Sequence, residues 1–143
     1  EKSEKFNLAN LIINIIKKYE NQKITSEITE NIFMDGRKNL ITRCINNLIE
    51  NSVKYANKVH IQLSKSNNYN IITIDDDGPG IDKEEYENVF KPFYKINKSR
   101  GDAKSSVGLG LSIASDIIRS HGGNIELENS PKNGLRAKIF LPF

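Results

Sequence analysis

Apolar positions recur at two periods along this 143-residue chain. Leu8, Leu11, Ile12, Ile15, Ile16 and Tyr19 fall at helical spacing and predict an amphipathic helix over residues 8–20. A longer stripe, Leu40, Ile41, Cys44, Ile45, Leu48, Ile49, Val53 and Ala56, predicts a second helix, with Asp35 as its expected N-cap. A third, Ile113, Ala114, Ile117, Ile118 and His121, opens at Gly108-Leu109-Gly110 and stops at Gly122-Gly123. Between the helices the period changes to two. Ile24 to Ile28, Val59 to Leu63, residues 70–75, Ile125 to Leu127 and Ala137 to Leu141 read as strands, and Phe6 as a short edge strand. Lys83 to Val89 is expected to form a short helix, ended by Lys91-Pro92. Three helices among several mostly hairpin-linked strands predict an α/β fold: a two-layer α/β sandwich with a mixed, mostly antiparallel sheet and the helices on one face.

One stretch breaks this pattern. Asp75-Asp76-Asp77-Gly78-Pro79-Gly80-Ile81 follows the apolar run Ile71 to Ile74. Three consecutive acids are not expected inside a strand, so the strand should end there and deliver carboxylates to a sharp turn. That arrangement suits a polar ligand held against a core, and it equally suits a plain acidic turn.

Composition narrows the field. Hydrophobic residues make up 37% and charged residues 27%, as in a globular domain with a real core. A net charge of +3, spread along the chain, does not argue for nucleic acid. The single cysteine, Cys44, excludes an internal disulfide and lies on an apolar stripe. No apolar run is long enough to span a membrane, and the segment is expected to make no membrane contact. The charged opening, Glu1 to Lys5, reads as a linker, and the chain as one domain, residues 1–143, cut from a longer protein.

No G-x-x-x-x-G-K-[ST] is present, nor the motif set of the Ser/Thr/Tyr kinases. His60 and His121 are too few for a catalytic metal centre. Four other pieces remain. Asn47, Asn51 and Lys54 fall on neighbouring turns at the border of the second helix's apolar stripe, followed by Tyr55. An Asn oxygen suits Mg²⁺ beside phosphate and water, a Lys suits phosphate, and a Tyr ring suits a base. The acidic turn can accept a hydrogen bond from an exocyclic amine such as adenine's, and its glycines let backbone approach the ring. Phe90 and Phe93 can anchor the polar stretch 95–107, whose length and lack of pattern point to function or mobility. Gly108-Leu109-Gly110-Leu111 offers backbone N–H groups and a helix dipole to phosphate.

In this order the four pieces resemble the asparagine, first glycine, phenylalanine and second glycine boxes of the catalytic and ATP-binding domain of sensor histidine kinases, in the wider superfamily of gyrase, histidine kinases and MutL. The resemblance runs from Phe6 to Phe143 and includes His121-Gly122-Gly123 and Gly134-Leu135-Arg136-Ala137. Within the family, Asp-Asp-Gly-Pro-Gly-Ile and the short loop look most like the osmosensor EnvZ type. The resemblance implies the Bergerat ATP-binding fold with a mobile ATP lid. It also implies Asn51 on Mg²⁺, Asn47 and Lys54 at the phosphates, Tyr55 against adenine, and Asp76 on the adenine amino group. Gly78, Gly80 and Ile81 would border the ring, and Phe90 and Phe93 would seat the lid. Lys95, Arg100, Val107, Gly108, Leu109, Gly110 and Leu111 would close over the triphosphate. Ser106 stands where the family usually has the first glycine of its second glycine box, which bears on lid closure.

ATPases of the superfamily tend to carry a Glu where this chain has Asn47, and an amide is a poor base toward water. Phosphoryl transfer to a better nucleophile is therefore expected, onto a histidine of a separate dimerisation domain. His60, in a strand, and His121, at a helix end, read as structural. The implied parent is a bacterial inner-membrane sensor with this domain in the cytoplasm and a response regulator as partner. The alternatives are a superfamily ATPase, or an anti-sigma-factor-type serine kinase or nucleotide-sensing module.

Overall fold

A computed structural model describes residues 1–19, 23–92 and 107–143, with side chains from 111 onward in the last stretch. In chain order the elements are β1 (Glu4–Asn7), α1 (Leu8–Lys17), β2 (Ile24–Ile28), β3 (Phe33–Gly36), α2 (Lys38–Tyr55), β4 (Val59–Lys65) and β5 (Tyr69–Asp76). Short 3-10 turns follow at Lys83–Glu85 and Asn88–Phe90, then α3 (Val107–Ser120), β6 (Asn124–Asn129) and β7 (Leu135–Pro142). The main sheet has the order β2-β4-β5-β7-β6. The β2–β4 pair is parallel and every other neighbour antiparallel. This is the two-layer α/β arrangement that the two periodicities predict.

Strand alternation makes the layers. Val59, Ile61 and Leu63 of β4, Ile72 and Ile74 of β5, and Ala137, Ile139 and Leu141 of β7 are all buried on one face. Against them pack Leu8, Leu11, Ile12 and Ile15 of α1, Ile41, Cys44, Ile45, Leu48 and Ile49 of α2, and Ala114, Ile117 and Ile118 of α3. The Cys44 thiol is core, and burial pushes its pKa up to about 12.

Three local expectations are corrected. Asp35 does not cap α2. It lies in β3 opposite Lys5 of β1, because β1 and β3 pair antiparallel, so Glu4 and Lys5 belong to a strand. The N-cap of α2 is Arg37, whose side chain makes no capping hydrogen bond. The helix's first N–H groups find the Glu1 carboxylate instead, at 2.7 Å from Asn39 and 3.2 Å from Leu40. Residues 83–89 form the two 3-10 turns rather than a helix. Finally, β5 does not end at Asp75 but runs on to Asp76. Two carboxylates are tolerated there because each has its own set of donors.

His121 is structural, as expected. Its Nδ1 donates to the Ile117 carbonyl at 2.8 Å and its Nε2 accepts the Arg37 N–H at 3.0 Å. The ring therefore ties the end of α3 to the start of α2. The Arg37 guanidinium adds a 2.7 Å bond to the Ser120 hydroxyl. His121→Ala leaves the Arg37 N–H without its acceptor. Thermal or denaturant melting is expected to show a loss of about 1–3 kcal/mol.

Candidate active site

The acidic turn is built by sending three consecutive carboxylates in three directions. Period-two alternation puts Asp75 and Asp76 on opposite faces of β5. Asp75 lies on the outer face, where Arg136 grips it through Nε at 2.6 Å and Nη2 at 3.0 Å. Asp76 points to the helix side, is 8% exposed, and accepts at Oδ1 from the N–H groups of Gly78 (2.9 Å) and Leu135 (3.1 Å). Asp77, past the strand, uses its Oδ1 to accept from Asn57 and Lys58 N–H, both at 2.8 Å. Those bonds hold the Asp77 carboxyl below the usual range, chiefly the one from Lys58. They also fasten the turn to the loop that leaves α2.

The turn also meets the helix itself. Side-chain hydrogen bonding from Ser52, next to Asn51, lowers the Asp76 carboxyl. The two expected halves of the site, the asparagine-bearing helix and the acidic turn, are thus adjacent. Burial pushes the Asp76 carboxyl up; the Leu135 and Gly78 N–H groups and Ser52 oppose the rise, and the Asp77 charge adds to it.

Glycines fit this close assembly. A Cβ on Gly78 would lie 2.9 Å from the Tyr55 carbonyl oxygen. A Cβ on Gly134 would overlap both Oδ1 and the main-chain oxygen of Asp76. Gly80 adopts φ +70°, which L residues rarely adopt.

Around this centre, Asn47, Asn51 and Tyr55 are half-buried and Lys54 is exposed, its Nζ 5.5 Å from the centre of the Tyr55 ring. The Asn51 Nδ2 is buried without a hydrogen-bond partner. Ile81 and Phe90 pack on the rim of the core, beside the fully buried Val89, and Leu111 is buried in α3. The 3-10 turn carrying Phe90 packs against α3. Val107, Gly108, Leu109 and Gly110 form the first turn of α3. Phe93, Lys95, Arg100 and Ser106 lie outside the described residues.

Ser52, Gly134 and the Leu135 N–H are the parts that sequence reading missed. Ser52 adjoins a residue already singled out. Gly134 follows Asn133, an ordinary hairpin signal. Nothing local marks either as touching Asp76, 24 and 58 positions away in the numbering.

Residues 36–143 match the histidine kinase-, DNA gyrase B-, and HSP90-like ATPase family. Sensor histidine kinase CpxA of Escherichia coli K12 is 35% identical over 108 residues, covering 75% of this chain and 24% of that protein. The heme sensor protein HssS of Staphylococcus epidermidis is 36% identical over 115 residues, covering 78% and 24%. The chain thus spans about a quarter of the length of these relatives. Among solved structures, the catalytic domain of histidine kinase ThkA superposes with a TM-score of 0.84 at 25% identity, covering 99% of this chain and 97% of that one. These likenesses are to sensor histidine kinases as a class, and the osmosensor type is one instance of it. With most of its length matched, the chain belongs to the histidine kinase-, DNA gyrase B- and HSP90-like ATPase family, as a catalytic ATP-binding domain of the sensor histidine kinase kind.

Proposed function

We propose that this domain binds magnesium ATP and transfers the γ-phosphoryl group to a histidine on a separate helical dimerisation domain of a longer sensor protein. The observation that carries this reading is the fastening of the acidic turn to the end of α2: the Asp77 Oδ1 accepts the Asn57 and Lys58 N–H groups, and Gly78 packs against the Tyr55 carbonyl. Through it the helix bearing Asn51 and the carboxylate of Asp76 border one site. Asp76 recognises the adenine amino group. Its Oδ1 already accepts two N–H groups, so its second oxygen is the acceptor for the base. Gly78, Gly80 and Ile81 border the ring and Tyr55 lies against it. Asn47 and Lys54 face the phosphates. The first turn of α3, Val107 to Gly110, with Leu111 behind it, offers them backbone N–H groups. Phe90 seats the lid, which Phe93, Lys95 and Arg100 complete.

The donor set suits magnesium. An amide's oxygen and nitrogen exchange places by a half-turn about the last bond. The unpartnered buried position on Asn51 can therefore present oxygen to a cation, with phosphate oxygens and water as the other ligands. When bound, the ion neutralises charge on the phosphates. Asn47 cannot take a proton from water, which favours transfer over hydrolysis. The chain's other contribution is to orient the nucleotide.

We place residues 1–143 as one catalytic domain, cytoplasmic, in a bacterial inner-membrane sensor whose phosphohistidine passes to a response regulator. The names of its relatives, a sensor histidine kinase and a heme sensor protein, support the sensor part of this reading. Among the described residues no helix is long and apolar enough to cross a membrane.

The test mixes this chain with γ-labelled ATP and the sensor's own histidine-bearing helical domain, made separately. Acid-labile phosphate on the helical domain is expected, and Asn51→Ala should abolish it. Acid-stable phosphate on serine, or release of orthophosphate without transfer, would overturn the proposal.

A further inference from the structure

We propose that Asp75 and Arg136, on the outer face of the sheet, act as a positioning pair that fixes Asp76 for base recognition; this rests on the role of Asp76 proposed above. Asp75 is 3% exposed, yet by strand alternation it faces away from the helices and from the side of the sheet that carries Asp76. Its fork with Arg136 has two short, parallel bonds. Such a fork fixes both distance and angle, which a lysine's point charge cannot do.

Its place in the ladder gives it leverage on the site. Asp75 and Arg136 are the last paired residues of β5 and β7, while β5 runs one residue further against β4, to the Val59–Asp76 pair. Immediately beyond this last rung, the Leu135 N–H turns to the Asp76 Oδ1 and Gly134 lies against the same atom. One residue therefore separates the fork from a donor that holds Asp76. On the outer face the same cross-strand row continues to Glu128, paired with Arg136. The guanidinium thus sits between two acids, and its attraction to them holds the end of β7 down.

Without the fork, the β6–β7 hairpin, still paired within itself to Leu135, is free to part from β5 at their last rung, and the end of a ladder is where it yields first. The Leu135 N–H would then withdraw and Asp76 would lose one of its two backbone donors. Base recognition would suffer while the phosphate contacts, made by α2 and α3, would not. Positioning therefore predicts a loss confined to the base.

The experiment uses ATP and ITP, which carries a carbonyl oxygen where ATP has the adenine amine. Dissociation constants are measured by calorimetry for the wild type, Arg136→Lys, the double variant Asp75→Asn/Arg136→Gln, and Asp76→Asn. The double variant leaves no unpaired buried charge, and circular dichroism melting checks its fold. Its ATP affinity is expected to fall about tenfold, the worth of roughly one hydrogen bond, with ITP affinity unchanged. Arg136→Lys is expected to fall part-way, and it decides the matter alone if the double variant does not fold. An ATP-to-ITP preference equal to the wild type's, at whatever melting temperature, overturns the proposal. A wild type without that preference, or an Asp76→Asn variant that keeps it, overturns the reading of Asp76 itself.

Discussion

Asp76→Asn is expected to lose most of its ATP affinity while melting no lower than the wild type. The two effects have separate causes. A hydrogen bond to a charged partner is worth roughly 1.5–3 kcal/mol, so its loss weakens binding about 10- to 150-fold. Stability runs the other way. Burial raises the folded-state pKa of Asp76 above its unfolded value. The folded chain therefore holds this proton more tightly than the unfolded chain. The stability linked to that proton is present below the unfolded pKa and is lost as pH rises through the folded one. At neutral pH the buried charge is thus a cost, and a neutral amide removes it. The asparagine oxygen can still accept from Gly78 and Leu135. Calorimetry and thermal melting on one preparation check both halves. The wild type's ATP affinity should also fall on acidification through the raised pKa of Asp76, since a protonated carboxyl no longer accepts in the same way. The asparagine variant should lack that dependence. Retained ATP affinity, or a large drop in melting temperature, would contradict this account.

Gly134→Ala is the second change with a large expected effect, although position 134 has no functional group. Its Cβ would occupy the space of the Asp76 carboxylate and main-chain oxygens and would crowd the Gly78 nitrogen at 2.7 Å. Two of the three are backbone atoms, which cannot rotate away. The hairpin between β6 and β7 must therefore lift, or Asp76 must turn out of place. Overpacking of this kind costs about 1–3 kcal/mol of stability, and ATP binding should weaken at least as much as in Asp76→Asn. Gly80→Ala is the contrasting control. Its Cβ would meet nothing nearer than 3.6 Å, and the expected loss, about 1–2 kcal/mol, comes from its positive φ. If Gly134→Ala binds ATP normally, the hairpin does not set the position of Asp76.

Elements with one repeating environment were legible in the sequence. The stripes of α1, α2 and α3 and the alternation of β4 follow from one buried face meeting a fixed period, and each is a local property. The order of the candidate motifs was equally legible. Expectation failed where a partner distant in the chain decides the local state. Asp35 looked like an N-cap, but pairing with Lys5 keeps it extended. Asp75 and Asp76 looked unfit for a strand. There they are matched by Arg136 on one face and by the Gly78 and Leu135 N–H groups on the other.

Residue types and their spacing alone therefore settled that this chain folds as helices over a sheet, and which polar side chains stand at the border of its core. Only the tertiary structure decided how those side chains are held. The donors and the empty space that set Asp76 come from Ser52, Gly134 and Leu135, on other elements. Hydrophobic periodicity is written within a few residues, whereas a buried carboxylate is satisfied by whichever donors the folded chain brings to it.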